Sequence, residues 1–132
     1  MAMISVKKGA RNSAPKVTIN GKAKTISFSS GFFRAHGINP NVVKFFREGY
    51  DPDTREIGIE FLQKPDKNGE ALKLNFTKAG NAAHGPIRAL ISTFALKAED
   101  LSGVYEEAAI AGPVDIPGFA GNGFLLKVDL RK

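Results

Sequence analysis

The chain of 132 residues contains no cysteine and no tryptophan. Without cysteine there are no disulfides, no thiol catalysis and no Cys-ligated zinc, a composition that fits a cytoplasmic protein. No apolar run approaches the ~18 residues that span a bilayer, so no membrane partner is expected. The opening stretch MAMISVKKGARNSAPK lacks an apolar core segment, and no secretory signal is expected. Only two histidines occur, His36 and His84, each beside a glycine near a predicted helix end. Protein metal sites take three or four donors, so these positions read as capping or surface residues, and no metal or cofactor is expected. Ser29, Ser30 and Thr93 have no evident partner base. No nucleophile is assembled with a base, and the chain is not expected to be an enzyme.

The most informative absence is that of acid. Residues 1–47 hold Lys7, Lys8, Arg11, Lys16, Lys22, Lys24, Arg34, Lys44 and Arg47 and no Asp or Glu, a charge of +9. The remainder carries 10 basic and 13 acidic residues, −3, which together give the net +6. Such a split points to a polyanionic partner for the basic half, or to a solvated basic surface.

What is present organises into short elements. Hydrophobic residues are 42% of the chain, enough for one core. Residues 1–14 read as a flexible basic arm. Val17 and Ile19 alternate with Thr18 in a first strand, Asn20-Gly21 signals a hairpin turn, and Lys24 to Phe28 returns. Ser29 or Ser30 caps a helix to His36, closed by Gly37 and Ile38. Asn39-Pro40-Asn41 turns the chain, Val42 to Arg47 is a strand, GYDPDT is a tip, and Glu56 to Leu62 is its partner. Residues 63–70 form a polar linker. Leu72, Leu74 and Phe76 then alternate as one strand, and KAGNAAHG is a flexible stretch. Ile87, Leu90, Ile91 and Phe94 place one apolar stripe on a helix from Pro86 to Leu96. Val104 to Ala109 is a strand, AGPVDIPGFAGNG a long connection, and Phe124 to Leu130 the last strand.

The order of elements repeats. FSSGFFRAHGINPNVVKFF is matched by FTKAGNAAHGPIRALISTFALKAEDLSGVYEEA with an insertion, and IGIEFL by LLKVDL. The expected fold class is therefore α+β and β-rich. Two tandem strand–helix–hairpin units, 15–62 and 71–132, would pack as one pseudo-twofold, β-barrel-like domain, because a unit of ~50 residues buries little surface alone.

Other motifs carry less. GFAGNG, Gly118 to Gly123, has phosphate-loop glycine spacing, but a strand pattern follows it where a helix is needed. DPDTREIGIE lacks the Gly and terminal Glu of a calcium loop, having Glu56 and Leu62 there, and reads as an Asx-type turn at Asp51 and Asp53. Phe45 and Phe46 must point to opposite faces of their strand. An exposed Phe could stack on a base, but the preferred reading places the Phe pairs at an interface between halves or subunits.

TISFSSGFFRAHGINPNVVKFF resembles the AbrB/SpoVT-like swapped-hairpin DNA-binding family. Ile26 and Phe28 fall on its strand, Arg34 and Ala35 on its helix, Gly37-Ile38 on its Gly-apolar pair, and Val43 and Phe45 on the following strand. The likeness covers about residues 16–62, and the second half only through the repeat. The chain departs at Ser29, where the family has Pro, at Phe33, where Arg is common, and at Asn41-Val42, where a Gly-Asp turn is usual. The family interleaves hairpins from two chains, and two units in one chain would replace that dimer internally, as in small double-unit proteins of phages and prophages. The resemblance and the basic half together imply a non-enzymatic nucleic-acid-binding protein with DNA as partner. Phosphates would be contacted by Lys7, Lys8, Arg11, Lys16, Lys22, Lys24 and Arg34. The alternative is an interaction or assembly module, with a homo-oligomer or protein partner meeting exposed Phe.

Overall fold

Apolar residues at alternate positions of Val17-Thr18-Ile19 and Ile26-Ser27-Phe28 give two strands that must each bury one face. The computed structural model describes residues 14–65, 69–78, 82–116, 118–119 and 122–132. The two runs are β1 (Val17–Asn20) and β2 (Thr25–Phe28), followed by α1 (Ser30–Ala35), β3 (Phe45–Asp51) and β4 (Glu56–Leu62). Then come β5 (Leu72–Lys73), β6 (Asn75–Phe76), β7 (Ala83–Pro86), α2 (Arg88–Thr93), α3 (Ala98–Leu101), β8 (Gly103–Tyr105), β9 (Ile110–Asp115) and β10 (Asn122–Lys127). Glu107–Ala109 and Val128–Leu130 form 3-10 turns. The fold is β-rich α+β. Sheet A has the order β6-β7-β2-β1-β8 and sheet B the order β5-β3-β4-β10-β9, with antiparallel pairing throughout.

Among the described residues no ladder closes these sheets into the expected barrel. The single strand expected over Leu72, Leu74 and Phe76 is broken at Leu74. Its N–H donates to the Lys44 carbonyl (3.0 Å), so β5 lies on sheet B and β6 on sheet A. At the other corner the 3-10 turn at Glu107–Ala109 separates β8 from β9. The free edge of β8 is covered by the last residue, since Val104 and Lys132 exchange N–H···O bonds of 3.1 and 2.9 Å.

Phenylalanine fills the space between the sheets. Phe28 of β2 meets Phe32 and Phe33 of α1 at ring-centroid distances of 5.7 and 6.1 Å, and Phe46 and Phe61 of sheet B at 6.0 and 5.0 Å. Phe32 also meets Phe124 of β10 at 5.1 Å. Val17, Ile19, Ile26, Ile57, Ile59 and Leu126 complete both inner faces. The alternation expected at Phe45-Phe46 is observed: Phe46 is fully buried, and Phe45 lies half-buried on the other face.

Local chemistry explains α1. Ser29 Oγ accepts the Phe32 N–H (3.1 Å) as N-cap. At the other end Ile38 N–H donates to Phe33 O (2.8 Å) and Gly37 N–H to Arg34 O (3.3 Å), a Schellman motif with Gly37 at φ +66°. His36 is the C-cap residue. α2 ends in the same bonding pattern, Leu96 to Ile91 (2.9 Å) and Ala95 to Ser92 (3.3 Å), with Ala95 taking the left-handed position at φ +51°.

Several expected boundaries move. The β1–β2 connection is a four-residue loop, not a two-residue turn, and its left-handed residue is Lys24 at φ +57°. Gly21 is needed there for closeness: a Cβ would lie 2.7 Å from Ala98 O of α3. Val42 and Val43 are not in a strand, because their N–H groups both donate to Asn39 O and wrap it into a turn. Asp51 Oδ1 accepts the Asp53 N–H (2.9 Å), the expected Asx turn. Pro86 ends β7 and does not begin a helix. The Gly- and Pro-rich stretches read as connections contain β7 and β9, each held by a ladder partner, β2 and β10. Val104 to Ala109 splits into β8 and a 3-10 turn, and the last strand stops at Lys127. Residues 66–68 of the expected linker and 79–81, 117 and 120–121 of the expected connections lie outside the described residues.

Two expected outcomes follow from this packing. A Cβ on Gly85 would overlap the Phe46 ring. Gly85→Ala is expected to cost about 1–3 kcal/mol in urea unfolding, with far-UV circular dichroism otherwise unchanged. Glu48 lies on the inner face of β3, cross-strand to Ile59, and both carboxyl oxygens are buried without a hydrogen-bond partner. Burial pushes this carboxyl up from 4.5 to about 8, while the Leu90 backbone N–H of α2 favours the ionised form but is not placed to form a full hydrogen bond. Between pH 4.5 and 8 the folded chain holds a proton that the unfolded chain has released. Stability therefore falls as pH rises through that window and is level below it. Glu48→Gln is expected to flatten this slope and to gain on the order of 2 kcal/mol at about pH 9, measured by thermal unfolding across pH.

Candidate nucleic-acid interface

The two sheets differ in what covers their outer faces. On sheet B, Arg47 and Glu60 are direct cross-strand partners and form a 2.6 Å ion pair with side-chain exposures of only 9% and 4%. The Phe119 ring lies over the Arg47 guanidinium (4.8 Å) and against Gly49 and Gly58. Glycine at 49 and 58 leaves room for that ring, so this outer face is covered by the chain itself. Arg47 is therefore spent inside the protein and does not contribute to a basic surface.

On sheet A the outer face is polar. Because opposed residues share a face, Thr18 stands beside Val104 and Ser27, Ser27 beside His84, and His84 beside Asn75. This forms one row across five strands. Thr18 and Ser27 are half-buried, and His84 and Asn75 are exposed. His84 is thus a surface residue of a strand, while His36 packs between Phe32 (4.8 Å) and Phe124 (4.7 Å). Burial lowers the His36 pKa, with Glu107 opposing.

The strands of sheet A, the β1–β2 loop, α1 and α2 contain no Asp or Glu. Acid gathers on sheet B and its tip, at Glu48, Asp51, Asp53, Glu56, Glu60 and Asp115. Acid also adjoins sheet A, at Glu99 of α3, which lines a pocket with Lys22 of the β1–β2 loop, and at Asp100, Glu106 and Glu107.

Of the described predicted contact residues, Lys16, Lys22 and Lys24 flank β1 and β2 of sheet A, but not in one cluster. Lys22 and Lys24 occupy the β1–β2 loop, Lys22 exposed and Lys24 half-buried. Lys24 O accepts the Ile87 N–H (3.0 Å), which sets this loop beside the start of α2 and Arg88. Lys16 is at the opposite end of β1, where its N–H donates to Ser29 Oγ (3.1 Å). About four residues of strand, on the order of 13 Å, separate the two ends. Arg34 is exposed in the last turn of α1. Among the described residues Lys16, Lys22, Lys24 and Arg34 form no ion pair. Lys7, Lys8 and Arg11 lie outside the described residues.

Sequence reasoning missed the second half's share of this side: His84 and Asn75 in the row, and Lys78 and Arg88 flanking β7. The available signal was the His84-Gly85-Pro86 run, which reads as loop until β2 pairs with it. Among the described residues no aromatic stacking platform, the less favoured reading of the Phe pairs, lies on this face. Phe28, Phe32, Phe33, Phe46, Phe124 and Tyr105 are buried, and Phe76 is turned inward beneath Lys44 (5.5 Å). Gly118 to Gly123 leads into β10, a strand, so it lacks the helix that a phosphate loop requires. Among the described residues there is no group of three or more His, Cys, Asp or Glu placed to hold a metal, and no helix long and apolar enough to cross a membrane.

No protein-family model, curated protein or solved structure matches this chain.

Proposed function

We propose that this chain is a cytoplasmic, non-enzymatic nucleic-acid-binding protein, with DNA as its partner, that contacts phosphates through the acid-free side of sheet A. The observation that carries the reading is the sorting of charge by sheet. Strands β1, β2, β7 and β6 and their described loops hold Lys16, Lys22, Lys24 and Lys78 and no acid, whereas sheet B and its tip hold Glu48, Asp51, Asp53, Glu56, Glu60 and Asp115. A face of hydroxyl, imidazole and amide groups bracketed by lysines suits a phosphate backbone, which takes most protein–DNA hydrogen bonds. The basic arm through Lys7, Lys8 and Arg11 would extend the contact from Ala14.

We also infer that the halves are two copies of one unit, in keeping with the resemblance to the swapped-hairpin family. β1-β2-α1-β3-β4 would correspond to β6-β7-α2-β9-β10, with α3 and β8 inserted. The strand orders support this, being symmetric about the β2–β7 and β4–β10 pairs. The matched helix ends at Gly37 and Ala95 support it too.

The test is fluorescence anisotropy with labelled duplex and single-stranded DNA over a salt series. Wild type is compared with Lys16, Lys22, Lys24 and Arg34 all changed to Ala. Wild-type affinity is expected to fall linearly with salt on logarithmic axes. The variant's slope is expected to be flatter by about 0.9 for each duplex phosphate that it no longer neutralises. Equal binding by both proteins, or no binding at low salt, would sink the proposal and leave an assembly role in its place.

A further inference from the structure

At the tip of sheet B, where β3 turns into β4, lies a pocket of about 530 Å³. Its size falls in the range of small-ligand sites. Three aromatic rings and three carboxylates line it: Tyr50, Phe94 and Phe119, with Asp51, Glu56 and Asp115. Tyr50 and Asp51 end β3, Glu56 opens β4 directly opposite Asp51, Asp115 ends β9, and Phe94 caps α2. Tyr50 and Phe94 stand 5.5 Å apart with their planes at 59°, and Phe94 is 39% exposed at the rim.

Asp51 Oδ1 accepts the Asp53 N–H of the Asx turn (2.9 Å), but among the described residues the carboxylates are not paired with a cation. Like charges directly opposite on paired strands repel, and Asp51 faces Glu56 in the β3–β4 ladder. Lys127 neighbours Glu56 on the other side, yet among the described residues neither Glu56, Asp51 nor Asp115 is in an ion pair. Exposing a Phe ring beside them gains nothing from the hydrophobic effect. A cation resolves both problems, because the ring faces carry negative charge and attract ammonium and guanidinium groups. The pocket's own wall gives an internal precedent: the Arg47 guanidinium already rests on the Phe119 ring.

We propose that this pocket binds an organic cation, an alkylammonium or guanidinium group, between the Tyr50, Phe94 and Phe119 rings and the Asp51, Glu56 and Asp115 carboxylates. The site shares no residue with the polar row of sheet A and does not depend on nucleic-acid binding. The cation is supplied by a free polyamine or by a basic side chain of a peptide.

The test is amide chemical-shift titration of the full chain with tetramethylammonium, spermidine and N-acetyl-lysine amide, with 3,3-dimethylbutanol as the uncharged shape analogue of tetramethylammonium. Saturable shifts confined to Gly49, Gly58, Asp115 and Phe119 are expected with the cations and not with the alcohol. The tightest probe identifies the source. Phe94→Leu keeps the apolar rim but removes the ring, and is expected to weaken cation binding ~2–5-fold. Asp115→Asn is expected to weaken it independently, and the spectrum of each variant reports whether the fold is kept. Shifts that do not saturate, that the alcohol reproduces, or that both folded variants retain at full strength would overturn the proposal.

Discussion

The packing on which the rest depends is that of Phe28 with the ring pair Phe32-Phe33 and with Phe46 and Phe61 across the gap between sheets. Ser29 stops the strand and caps the helix within one residue, so the chain delivers Phe28, Phe32 and Phe33 to one place. Buried aromatic side chains contribute large apolar areas, and tilted or edge-to-face pairs add to them. This wedge sets the separation of the sheets. It also forces Gly85 on β7, because the Phe46 ring occupies the space where a side chain would begin. The β2–β7 ladder, and with it the polar row of sheet A, follows from that fit.

With the sheets held apart by an apolar wedge, the charges are free to sort by surface. Sheet B hides one pair, Arg47 with Glu60, beneath Phe119. A buried pair of this kind contributes little net stability, but removing one partner is severe, so it fixes the β3–β4 register more than it strengthens it. Sheet A leaves its outer row to hydroxyls, an amide, one imidazole and, at the β8 edge, Val104. The whole-chain charge of +6 understates this contrast, because it averages an acid-free surface with an acid-rich one.

Elements were legible in the sequence where local chemistry decides them. Ser29, Gly37 and Ile38 announce both ends of α1 without help from the rest of the chain. Alternation announces β1, β2 and β4. Asn20-Gly21 correctly marks a turn, but for a different reason: the left-handed backbone falls to Lys24, and Gly21 answers the approach of α3. β7 and β9 were hidden because glycine and proline punctuate them, and only pairing with β2 and β10 makes them strands. For the same reason half of the candidate interface was hidden. Lys16, Lys22, Lys24 and Arg34 stand out as charge in an acid-free run, whereas His84 and Asn75 join them only through the long-range ladder between β2 and β7. Arg47 counted as a surface charge because no local signal couples it to Glu60, 13 positions away.

The short segment from Leu72 to Phe76 is hydrogen-bonded into sheet B at one end and sheet A at the other, with Leu74 buried between. Neither sheet can peel away without stripping this shared strap from its partner, and the Lys132–Val104 pairing ties the end of the chain to β8 at the opposite corner. Unfolding is therefore coupled across both sheets. In hydrogen exchange the slowest amides of β2 and β4, one from each sheet, should open together as a single cooperative unit.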